Sequence, residues 1–465
     1  MAQRTEPAQN PALTKRALVT TAASIAGASV LLAACQAGGK QEGPRLTTEN
    51  IELRHTYWGS PEEGELWVTF DDESTRRHPN IKIVSEHIPS EYENKVAAMI
   101  AGGTAPEIMN IQDEPFPSFA DRGAYHDLTS LVQRDRGQIK LDDFWPSWLE
   151  MFRWDEKLQR TNVSSGKIYA LPWDGGNILW FYNKDVFDNA GVSYPKANWT
   201  WEEFVDACQR LTQRDSSGVA TRVAFSNPGD VYNMPFVWTL SKEYVYLDKD
   251  YKRSLFDSSG SRFAHEQIWR LLWEWQVVRT SQDFQGEQRL FENGKIAMTI
   301  TGPWFFPDLR RWQNQTGWDR WDIAPMWSYQ GYRQTRQSPD GMAIGPDVKH
   351  VEEAWDYIKF VVSDDGQRRI SRLGRGMPAR KSIAYSEDYV RPDTPQDEKV
   401  FADAMEYSGY QPVTKYWGEM WRIIRTHYNT MFDPGQKAKP GNFLGIIAED
   451  ITRLLESGQL PAGYQ

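Results

Sequence analysis

IELRHTYWGSPEEGELWVTFDDESTRRHPNIKIVSEHIPSEYENKVAAMIAGGTAPEIMNI, residues 51–111, switches repeatedly between two periodicities. Residues 51–58 alternate apolar and polar side chains and then meet Gly59, Ser60 and Pro61, which predicts a strand ending in a turn. The spacing predicts a helix over 62–78, a second strand over 81–87, a second helix over 91–101 stopped by Gly102 and Gly103, and a short third strand over 108–111. Strands alternating with helices imply parallel βαβ units, so the fold class is α/β, with ligands collecting at the carboxyl ends of the strands.

Farther along, Thr200 and Glu203 form a capping box ahead of the apolar stripe Trp201, Phe204, Cys208 and Leu211, which predicts a helix. Ala354, Ile358 and Val361 mark another, and Ile446, Ile447, Ile451 and Leu455 a last one over 443–455. Toward the amino terminus, Lys15 and Arg16 precede an uncharged stretch, residues 17–34, that ends at Leu32-Ala33-Ala34-Cys35. This resembles a bacterial lipobox, in which Cys35 is lipidated and becomes the first residue after cleavage. Its Ala, Ser and Thr content is weak for a permanent span. Thr14-Lys15-Arg16 resembles a degraded twin-arginine signal, so the export route stays open between Sec and Tat. Residues 36–48, QAGGKQEGPRLTT, read as a flexible tether. Without residues 1–34 the chain keeps 50 basic and 62 acidic residues, a net charge of -12.

The 465 residues suggest two or three folding units, and 25% charged with 13% aromatic residues is globular composition. A net charge of -10 with dispersed Lys and Arg argues against a nucleic-acid binder. Two cysteines cannot build a disulfide scaffold, and Cys208 sits on an apolar helix face as a buried thiol. The seven histidines show no metal-ligand spacing, and no nucleophile elbow or phosphate loop appears. The expectation is no metal, no cofactor and no catalytic residue. The 21 tryptophans are the exceptional number.

Four blocks carry a resemblance. APEIMNIQDEPFPSFADRGAYHDLTSLV (105–132) resembles the segment of family 1 extracellular solute-binding proteins in which a short strand leads to the ligand. GKIYALPWDGGNILWFYNKDVFDNAGV (166–192), continuing to TWEEF (200–204), is the most specific match. FENGKIAMTITGPW (291–304) is similar to maltodextrin-binding members, and GMAIGPDVKHVEEAWDYIKFVVSDDGQRRI (341–370) resembles a later strand and helix. The resemblance implies two α/β lobes of the periplasmic-binding-protein type, a hinge, and a carbohydrate cleft between them. It places crossings near Pro172, near 298–302 and near 325–340. The expected division is a leader (1–34), a tether (35–48), one lobe from 49–172 with 299–326, and a second from 173–298 with 340–465. It further implies a monomeric receptor, held to the membrane only through lipid on Cys35, that hands its sugar to the permease subunits of an ABC importer.

A sugar presents hydroxyls at its edge and polarised C–H groups on its face, so its site asks for carboxylates or Arg and for flat aromatic rings. Trp58 ends the first strand and Glu62 or Glu63 follows the turn; a core aromatic is an equal reading of Trp58. Asp113 and Glu114 follow the third strand, and Trp173 and Asp174 the first crossing. Trp238, in MPFVWTL, resembles a maltodextrin-binding stacking residue, with burial in the lobe as its alternative. Gly302 and Trp304 enter by the family motif, and Gly341 as a point where backbone approaches ligand. Trp417 fits a helical core stripe with Trp421 equally well. Trp269, Trp273 and Trp275 read as packing. Arg375 and Arg380 would clamp an anionic sugar, against the alternative of ordinary surface arginines. The maltodextrin-type carboxylate is displaced here to Asp174-Gly175-Gly176, so a maltodextrin is not implied, and the aromatic insertion 145–154 suits an oligosaccharide. The rivals are a receptor for a non-sugar or anionic solute such as glycerol phosphate or a uronate, and a surface glycoside hydrolase, which needs two carboxyls about 5 to 9 Å apart across one bond.

Overall fold

Strand Ile51–Tyr57 pairs in parallel with Ile81–His87 along its whole length, and with Ile108–Gln112 on its other edge. The computed structural model describes residues 46–161, 163–226, 234–279, 289–391 and 396–464. The leader, Cys35 and most of the tether lie outside the described residues, as does the side chain of Glu62. The helices Pro61–Arg77 and Tyr92–Ala101 connect these strands, completing the expected βαβ units. At the first helix the Ser60 backbone N–H donates to Glu63 Oε2 at 2.6 Å while the Glu63 N–H donates to Ser60 Oγ at 3.3 Å. This capping box satisfies two otherwise orphaned donors and fixes Glu63 at the end of the first strand.

The sheet continues antiparallel through the long strands Thr335–Ile344 and Ala170–Asn177 to a short edge at Met377–Pro378. From Asn177 the chain passes through Ile178 into Leu179–Asn183, the middle of a second sheet flanked antiparallel by Met298–Thr301 and Trp321–Ala324. Each sheet has its own core. Against the second, the Trp180 ring lies 5.0 Å from Phe204 and 5.3 Å from Phe236. Trp201–Leu211 is the predicted helix with its capping box, and Cys208 is buried there, its thiol pushed upward by burial. The closing helices Trp417–Met431 and Gly441–Ser457 join this second core.

Strand pairing corrects the expected division. Residues 299–326, assigned to the first lobe, pair with the second sheet, and residues 340–378, assigned to the second, belong with the first. The crossings are at Ile178, between Ala324 and Thr335, and between Pro378 and Trp417, and the strand at 298–302 stays within the second sheet. Apolar alternation shows that a strand is buried but not which sheet it joins. Ala170–Asn177 therefore runs on past the crossing expected near Pro172, because Thr335–Ile344 continues alongside it as a pairing partner. No described helix is long and apolar enough to cross a membrane.

The two lobes meet tightly at the crossing. A Cβ at Gly176 would collide with the ring of Pro303, so the strand leaving the first lobe has no room for a side chain there. Gly176→Ala is expected to lower the unfolding free energy by about 1–3 kcal/mol in urea denaturation. Gly418→Ala, in a helix where a Cβ meets nothing within 4 Å, serves as control and should be neutral or stabilising by about 0.4–1 kcal/mol.

Candidate functional site

A cavity of about 320 Å³ opens between the lobes at the carboxyl ends of the first sheet's strands. Trp58, Glu63 and Gln112 line it from the first lobe, Asp340 from the returning strand and Arg375 from the loop after helix Asp364–Leu373. Trp304 and Asp308 close it from the second lobe. Two larger hollows, of about 450 and 490 Å³, each draw on one lobe alone. Of the three, the interlobe cleft is the one with aromatic faces and carboxylates contributed from both sides.

The chemistry centres on Arg375. Its Nη1 donates to Asp174 Oδ2 at 2.5 Å and to Asp340 Oδ2 at 3.0 Å, and its Nε donates to Glu63 Oε1. Asp174 and Asp340 face each other across adjacent strands, because the pairing slips by one residue between Asp340 and Gly341 and leaves Trp173 as the extra residue. Like charges opposite one another repel, and here both are buried. Burial pushes Asp340 up to about 8 and Asp174 up to about 6, with Arg375 opposing the rise and Glu63 adding to it. Burial alone would favour a neutral Arg375, but the three carboxylates outweigh it and hold the guanidinium charged. Trp173, fully buried, lies beneath with its ring 4.8 Å from the guanidinium carbon and 4.5 Å from the Trp67 ring.

Two glycines let this loop close. Gly374 has φ 65°, and its carbonyl accepts from Arg310 Nη1 at 2.8 Å; Arg310 stands on the second-lobe helix Phe306–Thr316. A Cβ at Gly376 would stand 2.5 Å from Asp174 Oδ2. A second cluster sits at the hinge. Arg336 pairs with Asp113 at 3.2 Å and Glu114 at 2.7 Å, and Gln411 donates to Glu114 at 2.8 Å. Burial pushes Asp113 up to about 7, Arg336 opposing and Glu114 adding to the rise.

The expected residues therefore separate. Trp58 and Trp304 line the cleft, Trp58 resting its ring 5.2 Å from Tyr92. Asp174 stands behind the lining, bound to Arg375, while Asp113 and Glu114 hold Arg336 at the hinge. Trp173, Trp238 and Trp417 are core residues in this structure: Trp238 is fully buried, 4.9 Å from Tyr244, and Trp417 stacks on Trp421 and meets Tyr246 at 5.2 Å. At Gly302 the missing side chain makes room for the ring of Trp304. At Gly341 it makes room for Phe152, 2.8 Å from where a Cβ would stand, so packing and not a ligand fills that space. Arg380 is buried and donates to the carbonyls of Val362 and Ile139. Arg375 lines the cleft, and its guanidinium is already bound by Glu63, Asp174 and Asp340. Asp340, Gln112 and Asp308 were missed by sequence reasoning; Asp340 had one signal, its place beside Gly341.

The sequence model of the family described as bacterial extracellular solute-binding protein matches residues 59–368. A putative binding protein of Brucella abortus is 23% identical over 410 residues, covering 85% of this chain and 89% of the relative. The arabinooligosaccharide-binding protein of Bacillus subtilis is 28% identical over 362 residues, 72% of this chain and 76% of the relative. The solved ABC substrate-binding protein of Listeria monocytogenes in complex with cycloalternan superposes with a TM-score of 0.75 at 22% identity, covering 87% of this chain and 99% of that one.

The cluster leaves a pH signature. In the folded protein Asp340 and Asp174 retain protons that an unfolded carboxyl gives up near 3.8. The native state then binds more protons than the unfolded one, so the unfolding free energy falls as pH rises from about 4 to about 8, by at most about 1.4 kcal/mol per pH unit for each proton. Urea unfolding near pH 5 and near pH 8 should show wild type losing more stability over that interval than Asp340→Asn, which has no proton to lose at position 340.

Proposed function

The chain belongs to the bacterial extracellular solute-binding proteins, and from that premise we propose that it is a lipid-anchored extracytoplasmic receptor that takes an oligosaccharide between its lobes and delivers it to an ABC importer. Family membership makes it a binding protein and not an enzyme. The observation that carries the reading is the cleft itself: Trp58 from one lobe and Trp304 from the other line a single cavity with Glu63, Asp340 and Gln112. Two rings offer apolar faces to sugar C–H groups, and the acids and the amide take up hydroxyls at the edge. The relatives named for arabinooligosaccharide and solved with cycloalternan support a carbohydrate by likeness.

The two long strands joining the sheets supply the hinge. A ligand that contacts both lobes binds the closed state better than the open one, and that difference in affinity is what shifts the population toward closure. The permease subunits would then meet a surface that exists only with both lobes together.

Thermal shift against mono- and oligosaccharides, polyols and glycerol phosphate tests the reading. A bound sugar at about a hundred times its Kd should add about 2.7 kcal/mol to the native state. Trp304→Ala should weaken that sugar by at least about tenfold, the loss expected of an aromatic anchor in a binding site, while the free variant still unfolds in one cooperative transition. A shift with glycerol phosphate and none with any carbohydrate would overturn it. For the anchor, wild type expressed with its leader should sediment with membranes, and Cys35→Ala should release it to the soluble fraction.

A further inference from the structure

Around Arg375 the cleft holds more acids than bases, and with Asp340 keeping its proton two further acids still share the one guanidinium. Glu63, Asp174 and Asp340 all bind one guanidinium, and two of these acids, Glu63 and Asp340, line the cavity with it. Asp174 keeps one buried oxygen, Oδ1, that accepts no hydrogen bond from the described residues. Across the cavity the second lobe adds Asp308, whose partner Arg311 does not line it. Among the described residues no other Lys or Arg lines the cavity.

Closing the lobes on a neutral sugar would exclude water from this site and leave the surplus negative charge without a counter-charge, which is costly in a low-dielectric enclosure. An anionic sugar would add to the surplus and compete with the three acid side chains already on Arg375. A cation removes it. The rings of Trp58 and Trp304 act in the same sense, because the face of an indole attracts an ammonium as well as a sugar C–H surface.

Resting on the carbohydrate-receptor reading above, we propose that the sugar this cleft takes carries a basic nitrogen, as an amino sugar unit does, and that Glu63 and Asp340 receive its ammonium group beside a tryptophan ring. The hydroxyls of the same sugar remain for Gln112 and Asp308. Asp174 acts from behind by holding Arg375 and facing Asp340, so it is a positioning residue and not a contact.

The test is isothermal titration of the purified protein with matched sets of the same linkage and length: glucosamine oligosaccharides, their N-acetyl and their 2-hydroxyl counterparts in the β-1,4 series, the corresponding α-1,4 and arabinose oligomers, and free glucosamine, glucose and glucuronate. The free-amine member of a set should bind about tenfold or more tightly than its hydroxyl counterpart, as a charge-assisted hydrogen bond gives. That advantage should shrink with added salt and disappear in Glu63→Gln, in which the amide can still accept from the Ser60 N–H. Glu63→Gln and Asp340→Asn should each cost the amine member more than its hydroxyl counterpart, so the readout is the ratio of the two affinities in each variant. If the hydroxyl or N-acetyl member binds as tightly as the amine, the proposal is overturned and the receptor reading stands. Preference for glucuronate overturns it as well. If no carbohydrate in any set binds, the receptor reading itself fails and the proposal with it. Because the comparison of ligands is made on the unaltered protein, misfolding of either variant cannot rescue or condemn the inference.

Discussion

Two aspartates directly opposite each other on neighbouring buried strands cannot both ionise without a cation between them, and the interlobe site is organised around that constraint. Asp174 and Asp340 meet in register, and Arg375 bonds both through one nitrogen while its Nε reaches Glu63. A lysine could not reproduce this, since it presents a point charge where the guanidinium presents separately directed donors and stays charged when buried. The register that brings the aspartates together depends in turn on the bulge at Trp173, whose ring drops beside Trp67 and supports the guanidinium from below. Gly374 and Gly376 then follow as necessities, the one turning its carbonyl to Arg310 and the other yielding space to Asp174.

The same cluster reports on the state of the hinge. Arg310 belongs to the second lobe, yet it bonds the carbonyl next to Arg375 at 2.8 Å and Glu398 at 2.7 Å. Gln411 reaches from the second lobe to Glu114, and Arg160 from the first lobe donates to the Lys249 carbonyl at 3.3 Å. Separating the lobes would break these polar links while leaving the strand pairing of each sheet intact. Polar links of this kind suit a hinge, because water can replace them on opening at small net cost. Ligand contacts to both walls can therefore set the balance.

Much of the fold was legible in the sequence because its signals are local. The capping boxes at Ser60–Glu63 and Thr200–Glu203, the period-2 strand at Ile51–Tyr57 and the stripe on Trp201–Leu211 each lie within a few residues. The lobe boundaries were not legible, because membership of a sheet is decided by partners more than a hundred residues away: Met298–Thr301 and Trp321–Ala324 join Leu179–Asn183, while Thr335–Ile344 pairs with Ala170–Asn177. The site was legible in part for the same reason. Trp58 and Trp304 sit at element ends that local pattern can find, but Glu63, Asp174, Asp340 and Arg375 come from four separate stretches, and only pairing and the bulge bring them to one point.

Aromatic count is a poor guide to a sugar site, and the reason is energetic. A tryptophan buries a large apolar surface with few rotatable bonds to freeze, so it serves a core as well as a ligand. The second lobe uses Trp180, Trp238, Trp327 and Trp417 in one aromatic core around its sheet. What distinguishes Trp58 and Trp304 is not residue type or neighbouring sequence but half-burial at an edge that faces the opposite lobe. A ring fully enclosed by protein has already realised its hydrophobic gain on folding, whereas a half-buried ring retains surface to lose to a ligand. That remaining surface, set beside carboxylates that exceed their one cation, is what gives this cleft its chemistry.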